Sequence, residues 1–332
     1  MKNIVFILNP ISGTGDKGGI PAIIDREIDH SAYRVVITHS EYAGHAAEIA
    51  TRSVADGADI VVAVGGDGTI NEVARSLVHT RAALGIVPNG SGNGLARHLR
   101  IPMDIRKALR IINACRVEVM DYGVINDYPF FCTCGMGFDA FISLKFAESG
   151  RRGPRTYVEN VLREGLKYKP ETYEVTDDTG AHEYKAFLIA CANASQYGNN
   201  AYIAPRATMT DGLMDVIIME PFDVFDVPQL SIDMFTKTLE NNSKIKSFRT
   251  KRIHIRRASP GAIHYDGDPV MTGNDIDVHI EERGIRIITN PDIIEDTSPA
   301  NPLLNAFSVF YNNINNVREE IFRRLKIEVS TF

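Results

Sequence analysis

No stretch of this chain approaches the ~18 consecutive apolar residues that a membrane-spanning helix needs, so no transmembrane segment is expected. The apolar run at residues 4–8 stops at Asn9-Pro10 and is too short for the core of a secretion signal. A cytoplasmic protein is the expectation. Cysteine is scarce: Cys115, Cys132, Cys134 and Cys191 form no C-x-x-C pair, and the histidines are scattered. That argues against a spaced zinc site or a disulfide framework and for reduced, buried thiols. A basic excess is missing too, and the net charge of −6 argues against nucleic acid as a partner. The G-x-x-x-x-G-K-[ST] loop is absent, and Lys17 does not complete one. Gly13-x-Gly15-x-x-Gly18 has the spacing of a dinucleotide fingerprint. The acid that should close the second strand is lacking, since Thr38, His39 and Ser40 stand there with only Glu41 near.

What is present is an alternation of strand and helix. At 332 residues, 44% apolar and 23% charged, the chain has the length of two globular domains. Strands are predicted at residues 4–8, 34–37, 60–64 and 83–87, and helices at 20–28, 44–54, 69–77 and 95–99. Repeated βα units imply a parallel sheet covered on both faces, with ligands bound at the strand ends. Three of the turns there suit phosphate: residues 9–15, Gly65-Gly66-Asp67-Gly68-Thr69-Ile70-Asn71, and Pro88-Asn89-Gly90-Ser91-Gly92-Asn93-Gly94. Glycines let backbone N–H groups approach an anion closely, and the following helix points its N-terminus at the same place. Asp67 is the one carboxylate in its turn. A magnesium ion, or a proton to move, is the chemical reason to put it there.

After about residue 115 the pattern changes. Strand-like segments at 171–177, 184–192, 213–219, 251–256 and 277–280 are separated by turns such as Asp178-Thr179-Gly180 and Asp266-Gly267. Helical stretches interrupt at 140–146, 157–166 and 225–239. The expected fold is α/β in two domains. A Rossmann-like nucleotide domain covers 1–120, which the chain end at 290–300 could rejoin. A mostly antiparallel β-sandwich for the substrate covers 121–290. Leu303, Phe307, Phe310, Ile314, Val317, Ile321 and Leu325 recur at helical spacing, so an amphipathic helix is expected over 302–327. It could pack on its own domain, form a homodimer or touch a membrane.

Taken together, Asn9-Pro10-x-Ser12-Gly13, Gly65 through Glu72, and Pro88-x-Gly90-Ser91-Gly92-Asn93 resemble the signature of the diacylglycerol kinase catalytic family. That family takes in bacterial diacylglycerol kinases, YegS-like lipid kinases and sphingosine kinases. Gly44-His45-Ala46 after Ser40, Gly135-x-Gly137-Phe138-Asp139-Ala140, Asp211-Gly212-Leu213-x-Asp215-Val216 and Tyr265-Asp266-Gly267-Asp268-Pro269 are similar to further family segments. The matches keep family order from residue 5 to about 290.

The resemblance implies an ATP- and magnesium-dependent lipid kinase acting at a membrane surface on diacylglycerol or a sphingoid base. ATP would be held by Asn9, Pro10, Ser12, Gly13, Ser40, Gly65, Gly66, Asp67, Gly68, Thr69, Asn71, Gly90 and Ser91. Asp268 stands at the family's catalytic glutamate, one methylene shorter, and the proton acceptor is either Asp268 or Asp67. Thr208, Asp211 and Leu213 match a structural magnesium loop, and Asp139 matches a position that could bind a sphingoid amine. The Gly90–Asn93 turn is closer to the sphingosine kinase form. Two basic stretches, 145–169 and 244–257, would suit docking on anionic lipid, and Arg97 and His98 could reach phosphate or a headgroup. Two rivals stay open: an NAD kinase-like phosphotransferase, and a nucleotide- or lipid-binding protein with weakened catalysis.

Overall fold

Four apolar segments pair side by side as the expected parallel strands: β1 (Lys2–Leu8), β2 (Tyr33–His39), β3 (Ile60–Gly65) and β4 (Ala83–Pro88), in the order β2-β1-β3-β4. The computed structural model describes residues 1–10, 19–149, 165, 168–223 and 225–290. The expected tail helix at 302–327, nearly all of the expected helix at 157–166, most of the basic stretch 145–169, and Ser12 and Gly13 lie outside the described residues. β3 and β4 are buried at every position, which fits their unbroken apolar runs. Around them pack α1 (Ile20–Glu27), α2 (His45–Ala55), α3 (Asp67–Leu77), α4 (Gly94–His98) and α5 (Ile105–Ala114). The predictions had no place for α5. Its start is nonetheless legible, because the Asp104 carboxylate accepts from the Lys107 N–H at 2.9 Å as an N-cap.

The rest of the chain builds two facing layers of strands. It supplies β5 (Val117–Ile125), β6 (Tyr128–Phe130), β7 (Thr133–Gly137), β8 (Glu171–Asp177), β9 (Gly180–Ala186), β10 (Leu188–Ala192), β11 (Met214–Met219) and β12 (Ile245–Thr250). β13 (Arg252–Arg257), β14 (Gly261–Tyr265), β15 (Asp268–Thr272) and β16 (Asp275–Ile288) follow. Among the described residues one sheet runs β2-β1-β3-β4-β16-β13-β8-β9, with β5 also on β16, and the other runs β12-β11-β10-β7-β14-β15. Alternate residues of both sheets meet in one core: Cys134 and Met136, Ile189 and Cys191, Val216 and Ile218 face Tyr173 and Val175, Ile253 and Ile255, Ile276 and Val278. That is a β-sandwich. The far side of the second sheet is covered by α6 (Phe138–Ser149) and α7 (Val227–Thr236) through Phe138, Ile142 and Leu230.

One expectation is corrected here. The single strand predicted at 184–192 is two, because the chain leaves one sheet after Ala186 and enters the other at Leu188, with the Phe187 N–H donating to Met219 O at 2.7 Å. The boundary predicted at 120/121 falls inside β5, and Met1–Ile293 forms one compact unit. The cause is β16. Its first half pairs with β13, a register shift intervenes between Glu281 and Ile285, and Ile287 then pairs with Leu84 of β4. Arg283 at the shift takes φ 54°. The chain thus rejoins the first sheet within β16, before residues 290–300.

Candidate active site

The strand-end turns after β3 and β4 touch backbone to backbone. A Cβ on Gly90 would stand 2.4 Å from Gly66 Cα, and one on Gly92 would stand 2.6 Å from Asp67 Oδ2. Side chains at these positions would force the turns apart. Asp67, at the start of α3, then fastens them: its carboxylate accepts from the Asn93 N–H at 2.8 Å and the Gly94 N–H at 2.7 Å. Asn93 makes this possible by taking φ 54°, and its side-chain amide donates to Gly90 O at 2.8 Å. Glu72, one turn further along α3, does the same for α2, accepting from the N–H groups of Gly44 at 3.0 Å and Ala46 at 3.1 Å. Its partners lie 28 and 26 residues away in sequence, so no local pattern announced the role.

At the ends of β1, β3 and β4 a cavity of about 230 Å³ is lined by Leu8, Asn9, Pro10, His39 and Asn89. The Asn9 side chain donates to Thr69 Oγ1 at 2.9 Å, and a Cβ on Gly65 would meet that same oxygen at 2.6 Å. Ser40 is buried, with its N–H on Leu8 O at 2.9 Å. Asn71 is buried within α3, whereas Gly68 and Ser91 are exposed. The described members of the expected nucleotide set therefore gather at one end of the parallel sheet.

Arg97 and His98 both make hydrogen bonds within the protein. Arg97 Nε donates to Gly92 O at 2.9 Å. His98 Nδ1 accepts the Ser195 N–H at 3.1 Å, which fixes that nitrogen as the unprotonated one. Burial, with Arg100 near, pushes the imidazolium down to about 4 from 6.5. Between pH 6.5 and 4 the unfolded chain takes up a proton that the folded one refuses, so stability is lost as pH falls through that window. The shift corresponds to at most about 3 kcal/mol. His98→Asn, whose amide oxygen can accept from Ser195, is expected to show a flatter pH dependence in urea unfolding between pH 4.5 and 7.

Asp268 arrives from the second sheet. The β14–β15 hairpin turns through Asp266 (φ 51°) and Gly267 (φ 89°), the paired left-handed conformation of a two-residue hairpin loop. Asp266 anchors the turn: its carboxylate accepts the N–H groups of Phe131, Cys132 and Thr133 at 2.7, 2.7 and 3.0 Å. Burial pushes it up to about 6, against the pull of those donors. Asp268, two residues on, is about half exposed and pairs with Arg75 of α3 at 3.0 Å. A sequence reading had no sign of this arginine, which is 193 residues away.

Asp139 is engaged within the protein. His264 Nε2 lies 3.0 Å from its Oδ2, the Tyr197 hydroxyl donates to the same oxygen at 3.4 Å, and the Ala140 N–H donates to Oδ1 at 2.8 Å. His264 and Tyr197 thus stand against the carboxylate at the position expected to meet an amine. The Thr208–Leu213 loop borders a cavity of about 530 Å³ whose walls carry Glu118, Asp121, Asp211 and Glu282. Asp121 ties the loop to β16, accepting from the N–H groups of Gly212 at 2.8 Å and Arg283 at 2.7 Å. Asp211 pairs with Arg249. Among the described residues no group of three or more His, Cys, Asp or Glu side chains could hold a metal ion, so a site here would draw on main-chain carbonyls. Hard oxygen donors of that kind suit magnesium.

The run 244–257 is basic in sequence, but acids from other segments lie against its exposed side chains. Lys244, Lys246, Arg249, Lys251, Arg252 and Arg256 pair with Asp226, Glu220, Asp211, Glu282, Asp277 and Asp275. Arg257 is buried and donates to carbonyls, among them Ala262 O at 3.0 Å.

Residues 3–125 match the diacylglycerol kinase catalytic domain, and residues 133–287 match the YegS C-terminal NAD kinase beta sandwich-like domain. The chain belongs to the diacylglycerol kinase catalytic-domain family of lipid kinases, in its YegS-like form. A protein named "Probable lipid kinase YegS-like" from Pseudomonas syringae is 26% identical over 278 residues, 79% of this chain and 86% of that one. An uncharacterized protein from Synechocystis is 26% identical over 284 residues, covering 80% of this chain but 66% of its own length. A crystal structure described as a diacylglycerol kinase from Bacillus anthracis aligns with TM-score 0.70 at 21% identity, covering 88% of this chain and 98% of that one. An NAD kinase from Archaeoglobus fulgidus in complex with ATP aligns with TM-score 0.51 at 14% identity, covering 88% and 94%. These two likenesses concern the fold. Among the described residues no helix is long and apolar enough to cross a membrane.

Proposed function

We propose that this protein transfers the γ-phosphate of ATP to the hydroxyl of a lipid, with magnesium. The observation that carries the reading is one helix with two attachments: α3 begins in paired glycine turns fastened by Asp67 and, further along, holds the half-exposed Asp268 of the second sheet. Phosphoryl transfer asks little covalent work of a protein; it needs the phosphates neutralised and an acceptor oxygen aimed in line. The turns at Gly65–Asn71 and Gly90–Asn93 would bind the phosphates through backbone N–H groups. Asp268 would accept the proton of the lipid hydroxyl. Magnesium, when bound, supplies charge neutralisation; Asp67 has lone pairs beyond its two N–H bonds, and the Thr208, Asp211 and Leu213 loop offers oxygen donors.

Engagement of Asp139 by His264 favours a neutral acceptor such as diacylglycerol over a sphingoid amine. A lipid has to be met at the bilayer, so peripheral membrane contact belongs to the proposal; the charge-balanced 244–257 run is a poor surface for it. Asp67→Asn removes the charge and one of the two acceptors that fasten the turns, and is expected to weaken MgATP binding more than tenfold, about 1.4 kcal/mol or more; titration calorimetry reads this. The acceptor is tested by mass spectrometry of lipid recovered after incubation with MgATP. A product heavier by one phosphoryl group supports the reading. Unchanged diacylglycerol, sphingosine, dihydrosphingosine and phosphatidylglycerol would refute it.

A further inference from the structure

Arg75 is held by two groups. Its Nη2 donates to Asp268 Oδ2 at 3.0 Å, its guanidinium lies over the Tyr265 ring at 4.5 Å, and Tyr265 stacks in turn on Tyr128 at 4.7 Å. Among the described residues its Nε is buried with no hydrogen-bond partner. An unsatisfied buried donor is a cost that packing alone gives no reason to keep. Asp268, by contrast, is about half exposed, and among the described residues its Oδ1 carries no hydrogen bond. The pair therefore fixes one carboxylate oxygen and leaves the other for a substrate.

We infer that Arg75 is a positioning residue for Asp268, joining the acceptor-side hairpin to the helix whose N-terminus carries the nucleotide turn. The inference rests on the reading of Asp268 as the acceptor-side base. Its logic is geometric. Arg75 stands eight residues beyond Asp67 on the same helix, roughly 12 Å along its axis at 1.5 Å per residue. Both halves of the site are thus referred to one rigid element. An aspartate is one methylene shorter than a glutamate and reaches less far, so its aim depends more on what grips it. A loose phosphoryl-transfer transition state gains more from an aimed oxygen than from a strongly basic one.

The test is steady-state kinetics on the full chain with MgATP and the lipid acceptor. Arg75→Gln is expected to lower kcat on the order of 10²-fold, the cost of a small misplacement, with the KM for ATP unchanged. Arg75→Lys, which keeps a charge but loses the planar fork, should recover part of that loss. Millimolar guanidinium should raise the kcat of Arg75→Ala saturably and leave Asp268→Asn unaffected. The double variant Arg75→Gln/Asp268→Asn should be no slower than Asp268→Asn alone. If Asp268→Asn loses turnover while Arg75→Gln keeps wild-type kcat, the inference falls and the functional reading stands. If Asp268→Asn keeps full turnover, Asp268 is not the base and the inference falls with that assignment, while lipid phosphorylation itself stands. A loss in the arginine variants that neither lysine nor guanidinium relieves, or that comes with an equal rise in the KM for ATP, assigns Arg75 a structural role and overturns the inference.

Discussion

Asp268→Asn is expected to lower kcat by about 10²–10⁴-fold, the usual contribution of a positioned general base, with ATP affinity at the wild-type level. The substitution is nearly isosteric, and an asparagine Oδ1 can still accept from Arg75, so the hairpin stays where it is. Asp266, which anchors the turn through three backbone N–H groups, is untouched. The nucleotide turns at Gly65–Asn71 and Gly90–Asn93 belong to the other sheet's strand ends, so binding and turnover should separate. Steady-state rates and equilibrium ATP binding on the same preparation read the two effects. Wild-type turnover in this variant would sink Asp268 as the base and turn attention to Asp67.

Gly90→Ala is expected to lose ATP affinity by more than tenfold and to cost about 1–3 kcal/mol of stability, the range for forcing extra volume into a packed place. The neighbour is backbone: the new Cβ would lie 2.4 Å from Gly66 Cα, and no rotamer change relieves that. The turns would move apart, and Asp67 could no longer bond both Asn93 and Gly94. Gly68→Ala is the matching control. A Cβ there meets nothing within 4 Å, and the position is helical, so its stability should be unchanged or raised by up to about 1 kcal/mol. Urea unfolding of the two variants distinguishes the steric account from a general intolerance of the turn. Equal destabilisation of both would contradict it.

Much of the nucleotide end was legible in the sequence because its signals are local. The apolar runs of β3 and β4 followed by glycine turns specify buried parallel strands and their ends without reference to the rest of the chain. The same holds for the Asp266-Gly267 hairpin. What escaped was what depends on distant partners. Glu72 reads as a helix-surface acid until α2 is placed against it. Arg75 carries no local signal, since its partner Asp268 comes from the distant hairpin. The 244–257 run reads as a cationic face because the acids that neutralise it, such as Glu220, Asp275 and Glu282, lie on other segments. β16 is one long strand shared by both parts, and periodicity alone cannot say which sheet receives each half.

One measurement tests the central claim most directly: transfer of label from γ-labelled ATP in a single mixture of diacylglycerol mixed micelles and soluble NAD. The account predicts that label enters the organic phase with the lipid, that the transfer needs magnesium, and that NAD stays unlabelled. Label in NAD with none in the lipid would contradict the account and point to the chemistry of the NAD kinase neighbour instead.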